Sequence, residues 1–201
     1  NEFYSDLKYN PDYTSVINQK HYDRLNGLLS DAKGHGAELV EINPANEDFS
    51  QQESHKIPPT LVLNPTDEMQ IMKEEIFGPL LPIKTYKDIN EPINYINKND
   101  KPLGLYYFGN NKNEESKVVN STTSGGVTVN DIMGHIQQNE LGFGGVGPSG
   151  MGKYDGFDGF MNFSNNKPIY KQIGFGLDKL LDAIRPPYKG SIEDVLKKLL
   201  K

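Results

Sequence analysis

The 201 residues carry 21 basic and 27 acidic side chains, a formal net charge of −6, with no basic block, which argues against nucleic acid as a partner. Cysteine is absent, which excludes disulfides, thiolate metal sites and a cysteine nucleophile within these residues; His21, His35, His55 and His135 are scattered without metal-ligand spacing. A hydrophobic share of 35%, 10% aromatics and 20 glycines suit a globular chain with a core; no apolar run nears the roughly 20 residues that span a bilayer, and no secretory signal is present, so a cytoplasmic location is expected.

In chain order, residues 21–34 predict a helix, with Leu25, Leu28, Leu29 and Ala32 on one face and Gly34 as its terminator. Residues 37–42 predict a strand, 43–58 a polar loop, and 60–63 a short apolar strand closed by Asn64 and Pro65. Residues 80–86 read as a strand. Asp88 and Glu91 form a capping-box pattern that opens a helix carrying Ile89, Ile93 and Ile96 on one side. Residues 103–108 read as a strand buried on both faces, 113–122 as a helix with Val118 and Val119 inward, and 126–129 as a strand. This alternation predicts an α/β fold with right-handed crossovers and a parallel sheet, whose ligands bind beyond the carboxyl ends of the strands, where Asn130 stands. Residues 160–163 and 167–172 look extended. Leu177, Leu180, Leu181 and Ile184 make a helical stripe stopped by Pro186 and Pro187. A last helix starts at Ser191, with Asp194 three residues on as its cap pattern and Ile192, Val195, Leu196, Leu199 and Leu200 on one face; that face is expected to pack on the body, and a membrane-surface helix flanked by Lys197, Lys198 and Lys201 is the alternative.

The run LGFGGVGPSGMGKYDG, from Leu141 to Gly156, holds seven glycines in sixteen residues. Gly142, Gly144 and Gly147 match G-x-G-x-x-G, as do Gly145, Gly147 and Gly150. A phosphate loop needs a strand before it and a helix after it. The preceding QQNE is no strand, and the following KYDGFDG is not expected to form a regular helix. A Walker loop fails because Tyr154 occupies the magnesium-ligand position, and Met151 rules out a nucleophile elbow around Ser149. The glycines are therefore read as backbone devices for positive-φ turns and close approaches, with Phe143 the one large apolar side chain at the start of the loop.

SGGVTVND (from Ser124 to Asp131), GFGGVGPSGMG (from Gly142 to Gly152) and EIFGP (from Glu75 to Pro79) resemble, in order and spacing, the C-terminal signature of the aldehyde dehydrogenase superfamily. PDYTSVIN from Pro11 and PLGLYYF from Pro102 resemble its class 3-like branch, and the likeness extends to RPPY at Arg185. The resemblance implies a parallel-sheet, three-layer catalytic domain of the aldehyde dehydrogenase fold, with its C-terminal part at residues 1–160, an oligomerisation strand at 161–173 and a helical tail at 174–201. It implies oxidation of an aromatic (coniferyl-type) or long-chain aldehyde to the acid, with NAD or NADP as cofactor. In that chemistry a cysteine thiolate attacks the carbonyl, hydride leaves to the nicotinamide, a glutamate activates water, and amides hold the oxyanion. In the family the cysteine, the base and the dinucleotide-binding domain lie upstream of the matched segment, so no catalytic residue is assigned here. Glu75 matches the carboxylate that holds the nicotinamide-ribose hydroxyls, and Phe77 the aromatic packed against that ribose. His135 and Phe143 match substrate-pocket positions, and Gly142 stands where the family usually has proline. Residues 163–172, from Phe163 to Gln172, match the strand that extends a neighbouring subunit's sheet, which implies a homodimer.

By residue chemistry alone, Lys73, Glu74 and Glu75 form a solvated charge run, and the lone His135 is a structural histidine. The chain begins at Asn1 rather than methionine, which points to a piece of something longer, expected to be inactive by itself. A truncated, non-catalytic paralogue that only dimerises is the alternative. A related acyl-phosphate reductase is a third reading, and the EIFGP and FGG patterns favour the dehydrogenase over it.

Overall fold

A computed structural model describes residues 3–172, 186 and 192–200. They fall into two compact units, residues 1–95 and 96–201. The first begins with an N-terminal strap that leads into helix α1 (Gln19–Gly34). Strands β1 (Glu38–Glu41), β2 (Thr60–Leu63) and β3 (Leu80–Ile83) follow, with a 3-10 turn at Gln70–Met72 before β3. Helix α2 (Asn90–Lys98) closes this half of the sequence. The second unit contains β4 (Gly104–Tyr107), α3 (Lys112–Ser121), β5 (Gly126–Val129), α4 (Gly156–Asn162) and α5 (Ile192–Leu199).

Local chemistry sets the ends of the helices. The Asn18 side chain accepts from the His21 amide at 3.0 Å, so α1 starts at Gln19, two residues before the expected start at residue 21. The helix runs through Gly34 and is closed by Gly36 at φ 88°, with the Gly36 amide donating to Lys33 O and the Ala37 amide to Ala32 O. The expected capping box is present ahead of α2: Asp88 Oδ1 accepts from the Asn90 amide at 2.7 Å, and Glu91 reaches back to the Asp88 amide at 3.3 Å. Asn111 caps α3 through the Asn113 and Glu114 amides.

In the first unit β2 pairs antiparallel with β1 and parallel with β3. In the second, β4 and β5 pair in parallel in the register Gly104↔Gly126 to Tyr107↔Val129, joined through α3 as the crossover. The expected parallel run through β3, β4 and β5 is thus realised as two sheets, because β3 takes β2 as its partner. The core of the first unit is Leu25, Leu28 and Ala32 of α1 packed with Ala37, Ile57, Val62, Met69, Ile71 and Leu80. One face of α1 is thereby removed from water, which favours folding of this unit.

Several expectations are corrected. β4 buries Tyr107, while Tyr106 and Phe108 stay exposed; one face of the strand carries the site instead of a second packed layer. Val118 is buried in α3 but Val119 is exposed, because adjacent helical positions point about 100° apart. KYDGFDG does enter a helix, α4, and residues 160–162 are helical rather than extended. Gly159 fits there because a Cβ would lie only 3.3 Å from Tyr154 Cα, and Phe157 and Phe160, one turn apart, meet ring to ring. Residues 165–172 have no strand pairing among the described residues. The stripe at Leu177 to Ile184 lies outside the described residues. In α5, Leu196 and Leu200 are exposed rather than packed on the body.

The strap is tied to the loop between β1 and β2 by polar contacts. Buried Lys56 donates through Nζ to the carbonyls of Leu7 (3.1 Å) and Asn10 (2.6 Å), Glu47 accepts from the Leu7 and Lys8 amides, and the Tyr13 hydroxyl donates to Ile57 O at 2.6 Å. Burial, aided by Tyr4, pushes the Tyr13 hydroxyl from 10.0 up to about 12. The folded value lies above the unfolded one, so this contribution is fully present below pH 10 and lost as pH rises through about 12. Wild type should therefore lose more urea resistance across that window than Tyr13→Phe, whose midpoint should be flatter; parallel curves would contradict the assignment. Leu25→Ala, at a fully buried site, should cost about 2–5 kcal/mol in urea unfolding. A loss under about 1 kcal/mol would mean that α1 is not the anchor of this core.

Candidate functional site

Each of the two units carries one pair of the residues singled out in the sequence, Glu75 with Phe77 and His135 with Phe143. In the first unit, the segment from Glu74 to Gly78 is a bend gripped by two consecutive residues of α1. Arg24 reaches it through its guanidinium, which pairs with the Glu74 carboxylate at 3.2 Å and donates to the carbonyls of Glu75 (3.0 Å) and Ile76. Leu25 lies so close under Gly78 that a Cβ there would fall 2.6 Å from its methyl carbons. Every Arg24 contact goes to Glu74 or to main-chain carbonyls. The Glu75 carboxylate is exposed and has no hydrogen-bond or ion-pair partner among the described residues. Phe77 is 80% exposed and sits at φ 44°, a left-handed conformation costly for an aromatic residue. Its ring borders a cavity of about 360 Å³ that also involves Tyr13, Val16, His21 and Pro79. A carboxylate and an aromatic ring are thus displayed two residues apart on a bend held by its backbone.

In the second unit the chemistry stands on the parallel pair β4 and β5. Gly104, Tyr106, Gly126 and Thr128 share one face, because side chains alternate along a strand and the register sets Gly104 beside Gly126 and Tyr106 beside Thr128. The His135 ring lies on that face. A Cβ on Gly126 would come within 2.3 Å of its Cδ2, and one on Gly104 within 3.6 Å of its Cε1. Thr128 Oγ1 accepts from the His135 amide at 3.1 Å and lies 2.7 Å from Nδ1. Nε2 is buried without a hydrogen-bond partner among the described residues. Asn130 ends β5 at φ 56° and clasps the end of β4: its side chain accepts from the Gly109 amide at 2.8 Å and donates to the Gly109 carbonyl at 3.0 Å.

The glycine segment is a tight antiparallel turn, with glycines at the positive-φ positions and close approaches expected of it. Phe143 and Tyr154 exchange backbone hydrogen bonds at 2.7 and 2.9 Å, and Gly147 pairs with Gly150. The two sides approach so closely that a Cβ on Gly144 would strike the Gly152 carbonyl at 2.1 Å. The turn sets Phe143 beside His135, with ring centroids 6.3 Å apart, and edge-on to Tyr154 at 5.4 Å; Tyr106 lies 6.0 Å from His135 on the other side. A row of four rings results. Tyr154 and Thr128 were not singled out by sequence. For Thr128 the available signal was period-two alternation along β5, which puts it on the face of Gly126. For Tyr154 no local signal existed, since only the closure of the turn brings it opposite Phe143.

Among the described residues there is no helix long and apolar enough to cross a membrane and no cluster of candidate metal ligands. Residues 3–169 match the aldehyde dehydrogenase family. The chain is 52% identical over 194 residues to a probable coniferyl aldehyde dehydrogenase of Caulobacter vibrioides, covering 96% of this chain and 40% of that protein. It is 38% identical over 195 residues to the 4,4'-diaponeurosporen-aldehyde dehydrogenase of Staphylococcus aureus, with the same coverage of 96% and 40%. Among solved structures, the substrate-bound state of Staphylococcus aureus AldH superposes with a TM-score of 0.68 at 36% identity, over 96% of this chain and 40% of that one. The chain therefore spans about 40% of the length of the curated relatives it matches. With the EIFGP bend and the glycine turn both in place on an α/β scaffold with parallel pairings, the chain belongs to the aldehyde dehydrogenase family.

Proposed function

We propose that this chain is the C-terminal portion of an NAD(P)-dependent aldehyde dehydrogenase that oxidises an aromatic aldehyde of the coniferyl type to the acid. The observation that carries the reading is the bend at Glu75 and Phe77, where an unpartnered carboxylate and a strained, exposed ring are displayed together on a fixed backbone. These residues fit the ribose of a nicotinamide dinucleotide: a carboxylate can accept from both vicinal hydroxyls, and an aromatic face can cover the sugar. The nicotinamide, when bound, supplies the hydride acceptor. Glu75 would orient the sugar beneath it and Phe77 would exclude water from one side. NAD and NADP are both compatible with these two contacts.

His135 and Phe143 would form a wall of the aldehyde pocket. The row of Tyr106, His135, Phe143 and Tyr154 favours a planar aromatic substrate over a long aliphatic one, because rings stack and meet edge to face. The thiolate nucleophile of this chemistry has no candidate among residues that include no cysteine, so the 201-residue chain should not oxidise aldehydes alone. Residues 163–172 would pair with a neighbouring copy; exposed Phe163, Ile169 and Tyr170 on a segment with no pairing of its own support that role.

The isolated chain, given NAD or NADP and coniferyl aldehyde, should produce no reduced cofactor above background, and aldehyde-dependent reduction would overturn the division of labour proposed here. In the whole enzyme, Glu75→Gln should slow single-turnover hydride transfer by about tenfold to a hundredfold through misorientation of the nicotinamide. An unchanged transient rate would remove Glu75 from the cofactor site. Sedimentation of the isolated chain should reveal a concentration-dependent dimer that is lost when residues 163–172 are deleted; a monomer throughout would argue against the pairing strand.

A further inference from the structure

Resting on the reading of His135 as a wall of the aldehyde pocket, we propose that Thr128 is the positioning residue that locks His135 as its Nε2–H tautomer in a socket built from Gly104 and Gly126. The socket is specific to an imidazole on geometric grounds. Two glycines side by side in the β4–β5 register leave a depression one ring wide, and Tyr106 and Thr128 flank it on the next register pair. The ring settles on Gly126 closely enough that even a methyl group there would displace it. A flat side chain in such a depression keeps one freedom, which of its nitrogens carries the proton, and Thr128 decides it.

Thr128 Oγ1 accepts the His135 amide at 3.1 Å and lies 2.7 Å from Nδ1. If Nδ1 carried the proton, Oγ1 would accept twice and its own hydrogen would need a further acceptor, and the only hydrogen-bond partners of the Thr128 hydroxyl among the described residues are these two atoms of His135. With the hydroxyl donating to an unprotonated Nδ1, the Thr128 hydroxyl, Nδ1 and the His135 amide are all satisfied. The proton then resides on Nε2, the atom that is buried without a partner. A buried orphan donor costs free energy, and a fixed one is poised for an acceptor oxygen that arrives from outside these residues. Held this way, His135 acts as a rigid wall with one preset donor, between the Tyr106 ring and the Phe143 ring.

The test reads the tautomer directly. In the 15N-histidine-labelled chain, long-range proton–nitrogen correlations distinguish protonated from unprotonated ring nitrogens, and His135→Gln identifies which of the four histidine patterns disappears. Wild type and Thr128→Ser should both show His135 with Nε2 protonated and Nδ1 bare, while Thr128→Val should show a mixture. Nδ1 protonation in wild type overturns the proposal even if the valine variant does not fold, and an unchanged pattern in a folded valine variant overturns it as well. In the whole enzyme, Thr128→Val should raise the KM for the aromatic aldehyde by about fivefold to tenfold, the loss expected for one positioned hydrogen bond, with kcat little changed and serine restoring wild-type behaviour. A tautomer that responds as stated alongside an unaltered KM would keep the Thr128 lock and dismiss the pocket reading of His135.

Discussion

At Gly78, Gly126 and Gly144 the backbone comes nearer to its neighbours than a Cβ would permit: a Cβ would fall 2.6 Å from Leu25, 2.3 Å from His135 and 2.1 Å from the Gly152 carbonyl. Each approach places a side chain of one of the two candidate sites, one in each unit. Gly78 lets the bend that displays Phe77 rest on α1, Gly126 receives the imidazole, and Gly144 closes the turn that carries Phe143. At Gly144 the neighbour is main chain, so only a residue without a Cβ fits; at Gly78 and Gly126 any Cβ would push aside the Leu25 or His135 side chain. Both candidate sites therefore rest on close main-chain approaches, with the candidate side chains standing on them.

The polar contacts follow the same economy. Arg24 spends its guanidinium on one neighbouring carboxylate and two main-chain carbonyls, which leaves the carboxylate of Glu75 unengaged. Asn130 accepts from and donates to Gly109, bolting the ends of β4 and β5 together and leaving the strand face to His135. Where local geometry is unfavourable, as at Phe77 with φ 44° and at buried Nε2 of His135, the surrounding contacts hold it in place. A strained ring and an unpartnered buried nitrogen at the candidate residues are what a site organised before its ligand binds would carry.

Much of this was legible in the sequence. The apolar spacing of Leu25, Leu28 and Ala32 fixed the buried face of α1, the Asp88–Glu91 box announced α2, and β2 and β5 coincide with the expected 60–63 and 126–129. The glycine segment could be dismissed as a phosphate loop because no strand precedes it, although the helix it was expected to lack does follow. Other features were hidden because they depend on distant partners. The helix at Gly156–Asn162 defied its two glycines, since packing of Gly159 on Tyr154 outweighs their poor helix propensity. The exposed face of β4 was hidden in an apolar run, because a run of hydrophobic residues does not reveal which face is covered.

The sequence by itself determined the α/β class through local periodicity, which needs no long-range contact, and its motifs resembled the family closely enough to point to it and to Glu75, Phe77, His135 and Phe143 as the residues to examine. Only the tertiary structure decided that β3 pairs with β2, that Arg24 holds the Glu75 bend by its backbone, and that Thr128 and two glycines seat His135. Those outcomes turn on distances between atoms far apart in the chain, and hydrogen-bond register and close packing exist only once the strands and helices have met.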